Sequence, residues 1–237
     1  MRPGTCRDTG VLMVVGYGPG ISHAVAERFA REGYTVALVA RSSQRAEETV
    51  THFGMAGVAA AAYQADASDP IAIRRPVARV QADLGPISAV LWTASRSGDI
   101  KNVLVSAPED IGHVFDIGVA GRVACVQAVL EDLKSSVGAS ILVANGALGE
   151  HTTESDRYAK HLDNDGVALE NSAKSKLVGI LAERLREFDI YVGEVTIAGS
   201  VAGTATADPS AIQPERIADQ FWSLTKERDK TRVRLTP

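Results

Sequence analysis

One stretch near the amino terminus constrains the fold most: five apolar residues, Val11–Val15, run directly into a glycine-rich turn. An uninterrupted apolar run of this kind indicates a strand that is buried on both faces, as in a parallel sheet. Gly16, Gly18 and Gly20 allow a sharp turn and a close approach of the backbone to a ligand. From Ile21 the apolar spacing becomes helical. A strand, a glycine-rich turn and a helix amino terminus together favour the binding of a dinucleotide pyrophosphate.

Length and composition set the general class of protein. The 237 residues suit a single α/β domain, 1–237, and the net charge of −4 argues against nucleic-acid or anionic-membrane binding. The start has no hydrophobic region, and no run approaches the roughly 18 apolar residues of a membrane span. We therefore expect a cytoplasmic protein with no membrane contact. The two cysteines, Cys6 and Cys125, give neither a disulfide framework nor a metal-binding spacing, so no metal is predicted.

Strands and helices are predicted to alternate along the whole chain. The predicted strands are 11–15, 35–40, 58–64, 87–92, 139–144, 189–199 and 231–235. The predicted helices are 21–32, 43–53, 70–84, 108–134, 166–187 and 208–224. This alternation predicts one doubly wound parallel sheet with helices on both faces and right-handed crossovers.

The end of the second strand indicates which dinucleotide is preferred. An acidic residue there would bind the adenosine ribose of NAD and repel a 2′-phosphate, but the chain has Ala40. Arg41, Ser42, Ser43 and Arg45 follow it. Guanidinium and hydroxyl groups suit a phosphate, so NADP(H) is favoured over NAD(H). A solvated basic helix start is the alternative for this cluster.

The spacing of Gly16, Gly20 and Ser22 resembles the turn of the short-chain dehydrogenase/reductase family, in which glycine is usual at the third position. The resemblance covers nearly the whole chain. It implies a Rossmann-like fold, a nicotinamide cofactor, a small-molecule carbonyl or alcohol substrate, and a homodimer or homotetramer. The cofactor contacts that it implies are Gly16, Tyr17, Gly18, Gly20, Ile21, Asp66, Ala67, Ala94, Ser95, Lys174, Gly199, and either Thr204 or Thr206.

The family's catalytic residues are matched poorly at the end of the fifth strand. The family's serine falls at Asn145 or Gly146, and neither offers a hydroxyl group. The asparagine that supports the catalytic lysine is replaced by Gly118. Of these residues, Asn145 is retained as a catalytic candidate.

The predicted active-site helix departs from the family as well. One alignment places Lys174 at the family's lysine and Glu170 at its tyrosine, whereas an ungapped alignment places Asn171 and Val167 there. Both alignments lose the tyrosine. Tyr158, in a polar and irregular insertion at 150–165, lies at nearly the family's distance from Asn145.

The residue that handles the proton is therefore left open among Glu170, Tyr158 and water, with Lys174 beside Glu170 on one helical face. An exposed Glu170–Lys174 ion pair with no catalytic role is the plainer alternative. For function, an NADP-dependent oxidoreductase is the first prediction. The alternative is a protein that keeps the scaffold for elimination, cyclisation or isomerisation, or for binding alone.

Overall fold

Seven strands and seven α-helices make up the part of the chain that the computed structural model describes, residues 10–42, 44–95, 99–205 and 207–237. The strands are β1 Val11–Val15, β2 Thr35–Ala40, β3 Ala60–Gln64, β4 Ile87–Trp92, β5 Ser140–Gly146, β6 Tyr191–Ile197 and β7 Arg232–Leu235. The helices are α1 Ile21–Arg31, α2 Gln44–Met55, α3 Arg74–Leu84, α4 Arg122–Ser135, α5 Thr153–His161, α6 Asp165–Leu185 and α7 Pro214–Glu227. Three residues named in the sequence analysis, Cys6, Ser43 and Thr206, lie outside the described residues.

All seven strands are parallel and form one sheet in the order β3-β2-β1-β4-β5-β6-β7. The predicted doubly wound architecture is confirmed. The chain leaves β1 towards β2 on one side and later returns to place β4 on the other side. A crevice for a ligand opens at the carboxyl ends of β1 and β4, where the strand order reverses.

Alternate side chains of the central strands fill two separate cores. Met13 of β1 faces the layer that contains α3, α4 and α6, where it packs with Val129 and Val178. Leu12 faces the opposite layer of α1, α2 and α7, together with Phe29 and others. Because both faces of the sheet are covered, the strands are continuous apolar runs rather than alternating ones.

The segment between β5 and α6 differs from its prediction. The polar stretch at 150–165 was expected to be irregular, but it contains the helix α5. The side chain of Thr152 accepts a hydrogen bond from the backbone nitrogen of Ser155 at 3.1 Å, which caps the new helix. Because the stretch has few apolar residues, its sequence showed no helical periodicity. The start of the helix is fixed by this cap.

The helical stretch before β5 is interrupted rather than continuous. A 3₁₀ turn at Pro108–His113 and a π-helical turn at Asp116–Gly121 precede α4. A side chain at Gly121 would overlap the carbonyl oxygen of Ala67, which follows β3. The lack of a side chain at Gly121 therefore allows this close contact. The widened turn therefore brings the helix close to the crevice.

The same stretch, Pro108–Ser135, is long and apolar enough to cross a membrane by length and composition, and it is the one such helix in the described ranges. Sequence inspection had expected no span of this kind. Half of its apolar window is buried inside the protein, where α4 packs against β4 and α3. This burial is what a crossover helix beneath a parallel sheet requires.

Candidate active site

The glycine-rich turn between β1 and α1 is shaped by two residues with left-handed backbone angles. Gly16 has φ +90°, and a Cβ there would overlap the backbone of Ala94 at the end of β4. Gly20 has φ +91°, and a Cβ there would meet no heavy atom within 4 Å among the described residues. Gly16 is thus required by the neighbouring strand, whereas the space over Gly20 is open on the side where a pyrophosphate would lie.

Ser22 closes this turn in a way that its small size alone does not predict. Its hydroxyl donates to the carbonyl oxygen of Gly18 at 2.7 Å and accepts from the Gly18 nitrogen at 2.9 Å. Tyr17 anchors the other side of the turn, since its hydroxyl lies 2.6 Å from Thr49 Oγ1 on α2. The turn is therefore held in place by side chains on α1 and α2.

A cavity of about 280 Å³ opens beside the turn, at the carboxyl ends of β1, β2, β3 and β4. Its position at the switch in strand order is where an adenosine half would lie. Many of the residues predicted to contact the cofactor are walls of this one cavity: Gly16, Tyr17, Arg41, Asp66, Ala67, Ala94 and Ser95.

The polar side chains of this cavity come from the ends of β2 and β3. Arg41 is exposed, and its carbonyl oxygen accepts a hydrogen bond from Gln64 Nε2 at 2.9 Å, which fixes its backbone. Asp66 is held through Oδ1, which accepts from the nitrogen of Ser68 at 2.9 Å and from its hydroxyl at 2.7 Å. The exposed Ser42 follows Arg41 at the same rim.

Asn145, at the end of β5, is buried and joins three elements. Its Nδ2 donates to the carbonyl oxygen of Asn171 on α6 at 2.9 Å and to Glu194 Oε1 on β6 at 3.1 Å. Its Oδ1 accepts from the nitrogen of Gly146 at 3.1 Å. Both amide N–H bonds are engaged by the protein, so Asn145 ties β5 to α6 and β6, and its catalytic role stays a prediction.

Glu170 and Lys174 lie on one face of α6 and are almost fully buried, with 1% and 2% of their surfaces exposed. The alternative of an exposed helical ion pair is therefore wrong. A Cβ added to Gly118 would lie 2.8 Å from Glu170 Oε1 and 2.7 Å from Lys174 Cγ. Glu170 also lines a cavity of about 180 Å³, together with Asp99, Ile100, Asp110, His113, Val114 and Gly166.

Two further charged residues, Arg122 and Glu194, surround this pair and were missed in the sequence analysis. Arg122 is fully buried at the start of α4, and its Nη2 donates to the carbonyl oxygen of Lys174 at 2.8 Å. Glu194 is buried in β6. A signal was present, because each is a charged residue within an otherwise apolar helix face or strand, and buried charges require partners.

Burial dominates the electrostatics of this cluster. Desolvation lowers the pKa of Lys174 to about 8, and Glu170 opposes the shift while Arg122 adds to it. Desolvation likewise lowers the pKa of Arg122 to about 10, against the attraction of Glu194 and Glu170. Two carboxylates and two cations thus balance one another beneath α6.

The remaining predicted residues lie apart from this cluster. Tyr158 is on α5 with 55% of its surface exposed, its ring stacked on His161, and it lines none of the three cavities found in the described part of the chain. Gly199 and Thr204 are exposed residues that follow β6, and the Thr204 hydroxyl donates to the carbonyl oxygen of Val201 at 2.7 Å. Ile21 is the first residue of α1.

The doubly wound sheet, the glycine turn and the adenosine-sized cavity define a dinucleotide-binding protein. Its sequence matches the short chain dehydrogenase family over residues 10–158. It is 30% identical over 222 residues to a (3R)-3-hydroxyacyl-CoA dehydrogenase of Canis lupus familiaris, covering 90% of this chain and 81% of the relative. The chain belongs to the short-chain dehydrogenase family of oxidoreductases.

Solved structures of low identity share the fold. A short-chain dehydrogenase/reductase from Serratia marcescens aligns with a TM-score of 0.82 at 21% identity, over 96% of each chain. A metagenomic short-chain oxidoreductase in complex with NADP aligns with a TM-score of 0.77 at 19% identity, over 96% of this chain and 97% of that one. The likeness extends over the sheet and both helical layers.

Proposed function

We propose that this protein is an NADP(H)-dependent oxidoreductase that interconverts a carbonyl group and an alcohol in a small molecule. The observation that carries this proposal is the cavity beside the glycine turn, with Arg41 on its wall and Ala40 in place of an acid. A guanidinium group at this rim would bind a 2′-phosphate through charge-assisted hydrogen bonds. No carboxylate at the end of β2 opposes it.

The residues present fit such a cofactor. Gly16 and Gly20 form a cradle that any Cβ at these positions would distort, and the amino terminus of α1 faces the same space. Asp66 and Ala67 would meet the adenine, with Ala94 and Ser95 along the ribose. When bound, the nicotinamide supplies or accepts the hydride, and the protein must position the substrate and handle one proton.

We further propose that the proton is handled without the family's serine and tyrosine. At the carboxyl end of β5 stand Asn145 and Gly146, and Glu170 takes the tyrosine's place in one alignment. Glu170 borders a cavity, and the buried Lys174, four residues later on the same helix, has its pKa lowered to about 8 by desolvation. A lysine with this pKa can hold or release a proton near neutral pH, and Glu170 is placed to pass it to a group in the cavity.

Cofactor binding and turnover test the proposal directly. Purified protein would be heated with NADPH, with NADH and alone, and then mixed with NADPH and a panel of ketones and 3-oxoacyl thioesters. We expect NADPH to raise the melting temperature more than NADH, and at least one carbonyl compound to consume it. The 3-oxoacyl thioesters are included because of the name of the dog relative. NADPH binding without consumption across the panel would instead favour a non-redox role for the scaffold.

We also propose that the protein is a homodimer or homotetramer of the cytoplasm. Leu169 and Ile180 leave 38% and 48% of their surfaces exposed on α6, which is more apolar surface than a solvent-facing helix needs. Light scattering on the purified protein tests the assembly, and a monomeric mass at micromolar concentration would contradict it.

A further inference from the structure

A second cavity lies between α6 and the strands β6 and β7, with a volume of about 350 Å³. It shares no wall residue with the cavity beside the glycine turn or with the cavity at Glu170. Each of its described wall residues is either polar or a glycine; those used below are His151, Ser172, Lys176, Glu194 and Arg232. No large apolar side chain lines it among these described residues, so its specificity would come from the hydrogen-bonding groups of these polar side chains.

Glu194 provides the anchor of this cavity. It is 1% exposed, and its Oε1 accepts hydrogen bonds from Asn145 Nδ2 at 3.1 Å and Thr196 Oγ1 at 2.9 Å. Its Oε2 is buried and accepts no hydrogen bond within the described residues. This oxygen has an ion-pair contact with Arg232 but no hydrogen bond in the described part of the chain. Such a state is costly for a buried carboxylate, and a donor from a ligand would relieve it.

The surroundings of Glu194 determine the charge of that donor. Arg232 Nε lies 3.7 Å from Glu194 Oε2, while its guanidinium donates to the hydroxyl and carbonyl oxygens of Ser175 at 3.0 and 2.6 Å. This fixed cation would repel an ammonium group. The carboxylates of Glu150 and Glu194 would repel an anion in the same way. A neutral hydroxyl group avoids both penalties.

The remaining wall residues used here, Lys176, His151 and Ser172, favour a ligand that also accepts hydrogen bonds. Lys176 can only donate, and His151 Nε2 lies 2.7 Å from the hydroxyl of Ser172, so this pair presents both donors and acceptors. Hydroxyl groups both donate and accept. A molecule with several hydroxyl groups can therefore serve both the acceptors and the donors of the wall.

We propose that this cavity is a binding site for a small, neutral, polyhydroxylated molecule, a polyol or a monosaccharide. The cavity shares Asn145 and Glu194 with the surroundings of the Glu170–Lys174 pair, but its test needs neither cofactor nor turnover.

The test is a binding titration of the full chain with myo-inositol, D-glucose and glycerol, followed by saturation-transfer NMR and calorimetry. Cyclohexanol, with one hydroxyl group on an apolar ring, serves as the control compound. We expect saturable binding of at least one polyol and none of cyclohexanol. In Glu194→Gln the amide oxygen can still accept from Asn145 and Thr196, but the amide nitrogen at the Oε2 position donates instead of accepting. Polyol binding should therefore weaken about tenfold or more.

Two milder variants keep the test decisive if Glu194→Gln fails to fold. Lys176→Met and Ser172→Ala alter exposed or half-buried walls and should each weaken polyol binding several-fold, while Lys226→Met on α7 should leave it unchanged. Absence of saturable polyol binding overturns the proposal, as does wild-type affinity in all of the wall variants. If Lys176→Met changes the oligomeric mass and no polyol binds, a second copy of the chain fills the cavity and the proposal is wrong.

Discussion

The carboxylate of Glu170 fills the space that a side chain at position 118 would need. A Cβ on Gly118 would lie 2.8 Å from Glu170 Oε1 and 2.7 Å from Lys174 Cγ, both on the neighbouring helix α6. In the family that the chain resembles, an asparagine stands at this position. The glycine at 118 and the buried Glu170–Lys174 pair are therefore two parts of one packing arrangement.

Gly118→Ala should lower the free energy of unfolding by about 1–3 kcal/mol, because the methyl group overpacks the site. The matched control is Gly54→Ala in α2, where a Cβ meets no described atom within 4 Å. That change should raise stability by roughly 0.5–1 kcal/mol, since alanine is the better helix former. Urea denaturation measures both. An equal increase in the free energy of unfolding for both variants would contradict this, because α6 would then be free to move away from position 118.

Gly20→Val should abolish NADPH binding, because the new side chain occupies the approach of the backbone to the pyrophosphate. Gly57→Val is the matched control: Gly57 also has positive φ, +74° against +91° for Gly20, and a Cβ there also meets no described atom within 4 Å. Both variants should lose stability through backbone strain. Only Gly20→Val should lose cofactor affinity in calorimetry, and intact NADPH affinity in that variant would remove the basis of the cofactor proposal.

Arg41→Ala should weaken NADPH binding by roughly 1.5–3 kcal/mol, the scale of a charge-assisted hydrogen bond to phosphate. NADH, which lacks the 2′-phosphate, should bind nearly as before. Arg75→Ala removes an equally exposed arginine from α3 and should change neither affinity. Fluorescence titration with both cofactors decides between the outcomes. An equal loss for NADPH and NADH, or a wild type that prefers NADH, contradicts the assignment.

Glu170→Gln and Lys174→Met should each reduce turnover by about 100-fold or more if this pair handles the proton, and NADPH affinity should be kept in Glu170→Gln. Tyr158→Phe should keep full activity, since its ring is half exposed on α5 and lines none of the described cavities. Steady-state kinetics on the first active carbonyl compound measure all three. Loss of turnover in Tyr158→Phe alone would instead assign the proton transfer to Tyr158.

Lys174 should make the protein more stable as the pH rises from about 8 towards 10. Burial lowers its folded pKa to about 8 from 10.5, so the unfolded chain binds more protons in this interval. Stability increases with pH wherever the unfolded state binds more protons. Lys174→Met should lack this increment, which urea denaturation at about pH 7.5 and about pH 9.5 would reveal. Above pH 10 Tyr63 and Tyr191, whose pKa values burial raises to about 12, act in the opposite direction. A parallel pH dependence in wild type and Lys174→Met would refute the assignment.

The alternation of buried strands and helices, and with it a doubly wound parallel sheet, could be predicted from sequence, because it depends on local patterns. Val11–Val15 is uniformly apolar and the following glycines permit only a tight turn, so strand, turn and helix follow from short-range sterics and burial. The strand ends that carry Arg41, Asp66 and Ala94 must then meet at one edge of a parallel sheet. The structure places them around one cavity.

The candidate active site could be predicted only in part from the sequence, because its residues are brought together by packing between elements that are distant along the chain. The hydrogen bonds of Asn145 to Asn171 and Glu194 join β5 to α6 and β6, and no pattern within β5 indicates them. The helix α5 was hidden because a short polar helix has little apolar periodicity, and its cap at Thr152 becomes visible only in the folded chain.

The sequence by itself determined the class of fold, the glycine turn after β1 and the lack of an acid at the end of β2, since each rests on neighbouring residues. Only the tertiary structure decided that Glu170 and Lys174 are buried rather than exposed, and that Arg122 and Glu194 belong with them. A helical spacing of four places two side chains on the same face, but it does not say what covers that face. Burial by α4 and β6 converts an ordinary surface pair into a charge cluster with a lysine of lowered pKa.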